Sequence, residues 1–352
     1  MKKGYRSLVL LALALLAGCS LLKHAPTRPA SERAARSVLP GRWLLLHSGQ
    51  KGCAYALVAA QPGNDAADQG QRLALPCSAA HVHIVGEAIV ALLGPCPVKG
   101  ETDTCWAQAP LKPRLRWQRL PLESPVFFRD HKALYPCGHG DGFVQWCAWD
   151  FRLQARSRVY PRIHPPRGAD LQALRPLAWS PPWLLMGEEL PCKPVGGKAL
   201  GGFARYWLVN LVTGLPSPWQ VWEAVGAQPR CLRTGDAVQG YTRIAPIGWN
   251  PAREGELAFA VQRFDGGSYQ KPLYAYPFQT DLYLWGTNGK FLKVGTFPRL
   301  NCRLWAPDGS GWLCEEIDAE GNASRALFLR RDGKVVLRWP KGSDRAVVQW
   351  LP

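Results

Sequence analysis

From Pro40 to the C-terminus the chain is built of short apolar runs separated by Gly, Pro, Asn and Asp. RWLLLHSG (42–49), CAYALVAA (53–60), QRLALPC (71–77) and GELAFAVQR (255–263) show the style. Each is strand-length, rich in Leu, Val, Ala or aromatic residues, and bounded by turn formers. No long stretch carries the i, i+3, i+4, i+7 apolar stripe of an amphipathic helix. The pattern predicts one all-β domain over residues 40–352.

The runs recur as a repeat. Trp-x-Pro stands at Trp179-Ser180-Pro181, Trp249-Asn250-Pro251, Trp305-Ala306-Pro307 and Trp350-Leu351-Pro352. Each copy closes a short run (LRPLAW, RIAPIGW, NCRLW, AVVQW), and the first three are followed by another strand and then a hairpin. Four strands per unit, at spacings of 70, 56 and 45 residues, predict a β-propeller, whose blades stack radially and leave few exposed edges. The fourth copy ends at Pro352 with no chain left to complete its unit. The strands at 42–49, 53–60 and 71–77 can supply the missing three, so the C-terminal strand is expected to be the inner strand of a closing blade. Counting from there gives about six four-stranded blades, the others at 78–121, 122–165, 166–240, 241–298 and 299–342. A seventh stays open if the long 166–240 unit hides another.

Around Trp305-Ala306-Pro307-Asp308-Gly309-Ser310 the chain resembles the Trp/Phe-Ser-Pro-Asp-Gly repeat of TolB-type propellers. The resemblance is fair over 241–352, faint over 166–240, and rests on blade geometry alone before that. It implies the fold and no particular partner, because many unrelated proteins share the repeat. The α/β domain of TolB itself has no room here.

The N-terminus has a different character. Lys2, Lys3 and Arg6 precede an apolar run from Leu8 to Leu16, too short for a stable membrane span and ending in small residues. Leu16-Ala17-Gly18-Cys19 looks like a bacterial lipoprotein lipobox. That resemblance implies cleavage after residue 18, acylation of Cys19, and anchoring by lipid as the membrane contact. Ser20, a non-Asp residue after the Cys, implies sorting to the outer membrane, periplasmic face. Residues 1–18 are thus expected to be a signal peptide. Residues 19–39 are expected to be the lipidated Cys and a polar, Ala- and Pro-bearing tether.

Eleven cysteines less Cys19 leave an even ten in an oxidising compartment. They fall as neighbours, Cys53/Cys77, Cys96/Cys105, Cys137/Cys147, Cys192/Cys231 and Cys302/Cys314, a spacing that fits hairpin disulfides. No Cys-x-x-Cys occurs, which disfavours zinc. His81 and His83, alternating in AHVHIV, could offer two imidazoles, but no third ligand is evident, and neither metal nor cofactor is expected.

Net charge is +17 for the whole chain and +14 once residues 1–18 are removed. The envelope offers lipopolysaccharide phosphates, headgroups, peptidoglycan carboxylates and acidic proteins as counterparts. Arginine-rich composition acting on solubility alone is the plainer reading. No aromatic-interleaved basic stripe points to nucleic acid. An aromatic-x-Arg-Ile/Leu element recurs with Arg119, Arg162, Arg243 and Arg299. These arginines are either struts between blades, the preferred reading, or an inward ring of guanidinium forks for an anion.

Gly138-His139-Gly140-Asp141-Gly142 reads as a hairpin before it reads as an active-site loop. Glu188/Glu189 and Glu315/Glu316 are adjacent on strands, so they point to opposite faces and are not preset as an acid/base couple. No nucleophile elbow or phosphate-binding Gly loop is present. The sequence therefore favours a monomeric, lipid-anchored binding platform that scaffolds a protein partner in envelope assembly or maintenance, and not an enzyme. The alternative is an enzyme or binding protein for anionic glycans, with its site in the channel.

Overall fold

The structure is a computed structural model that describes residues 43–48, 54–59, 71–73, 75, 79–96, 103–111, 116–169, 173–189, 203–234, 237–265, 277–340 and 345–351. Residues 1–39, with the expected signal, Cys19 and the tether, lie outside the described residues. So do Cys53, Cys77 and Cys192, and the side chain of Cys231.

The first three strands, β1 (Trp43–Ser48), β2 (Ala54–Ala59) and β3 (Gln71–Leu73), form an antiparallel meander. Next come β4 (Ala80–Val85), β5 (Ala88–Leu93), β6 (Cys105–Pro110) and β7 (Gln118–Arg119). The third sheet holds β8 (Phe127–Arg129), β9 (Lys132–Gly140), β10 (Phe143–Asp150) and β11 (Ala155–Ile163). The fourth holds β12 (Leu174–Ser180), β13 (Trp183–Glu189), β14 (Phe203–Asn210) and β15 (Leu215–Pro218), followed by the single-turn helix α1 (Val221–Ala224). The fifth is β16 (Arg230–Thr234), β17 (Ala237–Trp249), β18 (Glu256–Asp265), β19 (Phe278–Gly286) and β20 (Phe291–Pro298). The last complete meander is β21 (Leu300–Trp305), β22 (Gly311–Ile317), β23 (Ala323–Arg330) and β24 (Val335–Pro340).

β25 (Arg345–Leu351) then pairs with β1, with Trp43 opposite Leu351 and Ser48 opposite Arg345, giving the order β25-β1-β2-β3. The C-terminal strand thus completes the N-terminal sheet. Gln349 extends the closure to the next sheet. Its Oε1 accepts from the Ile84 N–H at 2.7 Å, and its Nε2 donates to the Ile84 carbonyl at 3.1 Å. One side-chain amide therefore satisfies both backbone groups of an inner-strand residue.

A uniform set of six four-stranded blades is not what the chain forms. Five sheets have four strands and one has five. The surplus strand is β16, which lies within the 166–240 unit by sequence but pairs with β17 of the following sheet, Arg230 opposite Thr242. It can do so because β17 runs thirteen residues: its C-terminal part pairs with β18 alone, and its N-terminal part accepts β16 as well.

The sheets from β4 to β20 bury both faces against neighbouring sheets, which explains their nearly continuous apolar runs. The period of two along a strand divides the residues between two cores. On β18, Leu257, Phe259 and Val261 pack toward the β12–β15 sheet, while Ala258 packs toward the β21–β24 sheet. On β19, Tyr283 and Trp285 take the first side and Leu282 and Leu284 the second. β5 does the same with Ile89, Ala91 and Leu93 against Val90. The arrangement is a β-propeller. Its inner strands β25, β4, β8, β12, β17 and β21 surround a common cavity.

Disulfides join Cys96 to Cys105, Cys137 to Cys147 and Cys302 to Cys314. Each links adjacent strands of one sheet or a strand and the loop beside it. Cys302 and Cys314 face each other across β21 and β22. Among the described residues, no helix is long and apolar enough to cross a membrane.

Candidate functional site

The inner strands leave a cavity of about 1470 Å³ along the axis. It opens on the face that carries the turns after the first and third strands of the sheets. Gly86 and Glu87 sit in such a turn, as do Asp130 and His131, Phe151 to Gln154, Pro251 and Pro307. The walls are apolar and aromatic: Phe127 and Phe128 from β8, Leu177 and Trp179 from β12, Ile247 and Trp249 from β17, and Leu304 and Trp305 from β21. The Trp-x-Pro repeat thus has a geometric meaning. Its first three tryptophans end inner strands at the cavity, and the Trp305 indole donates to the Gly248 carbonyl at 2.7 Å, tying β21 to β17.

Charge in the cavity is unbalanced. Arg116, Arg129, Arg152 and Arg303 line it, against the carboxylates of Glu87 and Asp130. Both acids belong to turns at the rim, and none of the inner-strand residues lining the cavity is acidic. Arg129 spans the mouth, donating from Nη2 to the Asn250 carbonyl at 3.1 Å. Burial pushes its pKa down, while Asp130 and Glu254 oppose that shift. Arg303 is held 3.2 Å from Glu315. Arg116 and Arg152 are exposed at the rim. Beside them Gln108, Gln118 and Gln154 form an amide cluster, with Gln108 Nε2 donating to Gln118 Oε1 at 3.4 Å and Gln154 Nε2 to Gln108 Oε1 at 3.3 Å.

His83 occupies one wall, stacked on Phe128 with ring centroids 4.2 Å apart. Burial, followed by the nearby His81, pushes its pKa down to about 4, so the ring is neutral at physiological pH. The two histidines are not paired on one regular strand face. His81 has φ of 48°, and the β4–β5 register is irregular between Ala80 and His83, so the simple alternation expected of AHVHIV fails there. His81 is exposed while His83 is largely enclosed. Among the described residues no three His, Cys, Asp or Glu side chains gather in a metal-holding cluster.

The four arginines of the aromatic-x-Arg element are not brought together, and none lines the cavity. Arg119 lies on β7 and Arg162 on β11, the outer strands of their sheets. Arg162 stacks over Phe143, 4.6 Å from the ring centre. Arg243 begins the inner half of β17, donating to Gln262 Oε1 at 2.9 Å and stacking over Phe264. Arg299, at the corner between β20 and β21 with φ of 49°, donates from Nε to the Ile317 carbonyl at 2.8 Å and to the Asp318 carbonyl, over the Phe278 ring. Arg299 reaches from the β21–β24 sheet to Phe278 of the preceding one, whereas Gln262 and Phe264, which hold Arg243, belong to its own sheet. The anion ring fails because the same short motif occupies different strand positions in different sheets.

The basic residues that do reach the cavity went unmarked in the sequence. Arg303, two residues before the Trp of NCRLW, sits where the β21–β22 register slips between Cys302 and Leu304, so strand alternation does not place it either. Arg116 and Arg152 sit in turns, where no period applies. The paired acids are also accounted for: Glu188 is ion-paired with Arg205 and Glu315 with Arg303. Gly138 and Gly140 belong to β9 and face β10 across a hairpin.

Among the described residues the cavity thus offers aromatic walls, two held guanidinium groups at Arg129 and Arg303, two exposed ones at Arg116 and Arg152, and carboxylates on rim turns at Glu87 and Asp130. The fold class is that of β-propeller proteins. Among solved structures the chain is similar to Kluyveromyces lactis Hsv2, at 12% identity over 86% of each chain with a TM-score of 0.36. It is also similar to the β-propeller domain of the Trilobed protease from Pyrococcus furiosus, at 11% identity over 84% of this chain and 98% of that one, TM-score 0.37. A third is the tricorn protease, at 12% identity over 86% of this chain and 29% of that one, TM-score 0.35. No protein-family model matches the chain, and no curated protein matches it in sequence.

Proposed function

We propose that this chain is a non-catalytic, lipid-anchored propeller of the bacterial outer membrane, facing the periplasm, whose channel mouth binds an acidic segment of an envelope protein. The observation that carries the binding site is the one-sided chemistry of the cavity: four arginines over Trp and Phe walls, with no acid on the inner strands. Guanidinium groups take carboxylates bidentately, and aromatic walls supply the apolar contact that makes such charge pairs strong. A glycosidase would need two carboxylates converging on one bond, and the cavity's two acids stand on rim turns of different sheets. Ser20 after the lipobox-like Cys19 supports the membrane assignment.

The Gln108–Gln118–Gln154 amides favour a second reading at the same mouth, an anionic glycan, because neighbouring amides suit sugar hydroxyls. The test is in-cell photo-cross-linking from a probe placed at Leu177 in the cavity wall, with and without Arg116→Glu and Arg152→Glu. One reproducible envelope protein, lost on charge reversal, supports the proposal. A cross-link to glycan transfers the site to the second reading. Capture unaffected by charge reversal refutes both. In the same cells Cys19→Ala is expected to abolish acylation, and an acylated, membrane-held variant would refute the anchor.

A further inference from the structure

The outer edge of the β8–β11 sheet is unlike the rest of the surface. Residues 151–169 contain Arg152, Arg156, Arg158, Arg162 and Arg167 and no acidic residue. All five arginines are exposed. Asp150, just before the segment, is buried and bonded to the N–H groups of Arg152 and Leu153. β11 is the last strand of its sheet, paired with β10, and among the described residues no further strand pairs with its other edge.

Apolar side chains gather on the same edge. Among the described residues five large hydrophobics are exposed. Leu153, 69% exposed, is in the turn entering β11, and Val159, 51% exposed, is on it. Val212 and Leu215, 48% and 68% exposed, flank the β14–β15 turn. That turn packs on β11: a Cβ added at Gly214 would stand 3.1 Å from the Arg162 carbonyl and 3.1 Å from Pro161. Four of the five exposed hydrophobics thus lie on one arginine-bearing edge, and Leu292 is the exception.

The arginines are also preset. Arg158 lies over the Tyr160 ring at 5.1 Å, Arg162 over Phe143 at 4.6 Å, and Arg156 Nε donates to Tyr135 Oη at 3.3 Å. Stacking fixes the plane of a guanidinium while its N–H donors point outward in that plane, the geometry that phosphate oxygens take. A nine-residue strand spans about 30 Å, an extended strip and not a pocket.

We propose that this edge docks on an anionic phospholipid surface, the arginines on lipid phosphates and Leu153, Val159, Val212 and Leu215 in the headgroup layer. Exposed apolar side chains among cations on one edge are what an interfacial surface requires. Arginines spread along a strip of about 30 Å, with no pocket among them, suit the repeated phosphates of a lipid surface, and an acidic protein face is left as an outcome of the test. The edge shares Arg152 with the cavity rim, but Arg156, Arg158, Arg162 and Arg167 do not line the cavity, so the proposal does not depend on what the channel binds.

The test is arginine footprinting of the full chain on vesicles of phosphatidylcholine, with or without phosphatidylglycerol. Phenylglyoxal labelling is read by peptide mass spectrometry, with exposed Arg325 of another sheet as the internal reference. Labelling at Arg152, Arg156, Arg158, Arg162 and Arg167 should fall several-fold on the anionic vesicles alone, and should recover at high salt. The Arg158→Gln, Arg162→Gln double variant should lose the protection of Arg152 and Arg167 while keeping the labelling of Arg325. Equal labelling on both vesicle types overturns the proposal and leaves the edge to a protein. Protection that persists in the double variant overturns it as well.

Discussion

Replacing Gln349 by Leu would strip the clamp between the closing strand and its neighbour while keeping the side-chain volume. Two hydrogen bonds go, at 2.7 and 3.1 Å, and the Ile84 N–H and C=O, which belong to two successive peptide groups, both lose their partner. A neutral hydrogen bond contributes about 1 kcal/mol net, and a buried peptide group left unpaired costs about 1–3 kcal/mol. The clamp borders the cavity, so water can reach part of the exposed peptide. The expected loss is therefore about 2 kcal/mol, in the lower part of the range those two effects span. Gln349→Glu keeps an acceptor for the Ile84 N–H and lacks the donor for its carbonyl, so it should fall between wild type and Leu. The assay is equilibrium urea denaturation of the oxidised protein followed by tryptophan fluorescence. Gln279→Leu, at an exposed position on β19, serves as the control and should stay within about 0.5 kcal/mol of wild type. A Gln349→Leu variant as close to wild type as that control would refute the argument that this amide holds the ring shut.

Asp281 is buried in the β16–β20 sheet, where burial would raise its pKa, but bonds from Arg263, Thr296 and Lys293 outweigh burial and hold it below the usual carboxylate range. Its contribution is present above the unfolded carboxylate pKa and is lost as pH falls below it. Asp281→Asn should cost about 1–3 kcal/mol at pH 7, because its cationic partners stay partly solvated, and should remove the part of the acid slope below about pH 4. Equal acid slopes in the two proteins would count against this. His83 acts in a different window. Its folded pKa of about 4 lies below the unfolded 6.5, so stability is complete above pH 6.5 and drains as pH falls toward 4. His83→Phe, which keeps the stack on Phe128, should flatten that window by about 2 kcal/mol after discounting for partial exposure. A variant with an unchanged pH profile between 6.5 and 4 would place the titration elsewhere.

What the sequence carried alone was periodic or local. The alternation of apolar runs and turns specified strands, and Trp-x-Pro at Trp179, Trp249 and Trp305 marked where inner strands end. The fourth Trp-x-Pro, at Trp350, marked the last strand as one of the same kind, and β25 pairs with β1. Neighbouring cysteines in one meander had only short loops to close, and Cys302 and Cys314 met across β21 and β22. These features depend on residues near in sequence, or on a motif that repeats along it.

The tertiary structure decided everything set by position around the axis. β16 left its own unit because the long β17 of the next sheet offered it an open edge. Arg119, Arg162, Arg243 and Arg299 share a motif but stand on outer strands, an inner strand and a corner, so identical local sequence meets different surroundings. Arg116, Arg129, Arg152 and Arg303 share no motif, yet ring closure sets them around one cavity. A linear pattern encodes the direction of a side chain relative to its own strand. The neighbour it meets is set by the rotation between sheets, and that exists only once the ring has closed.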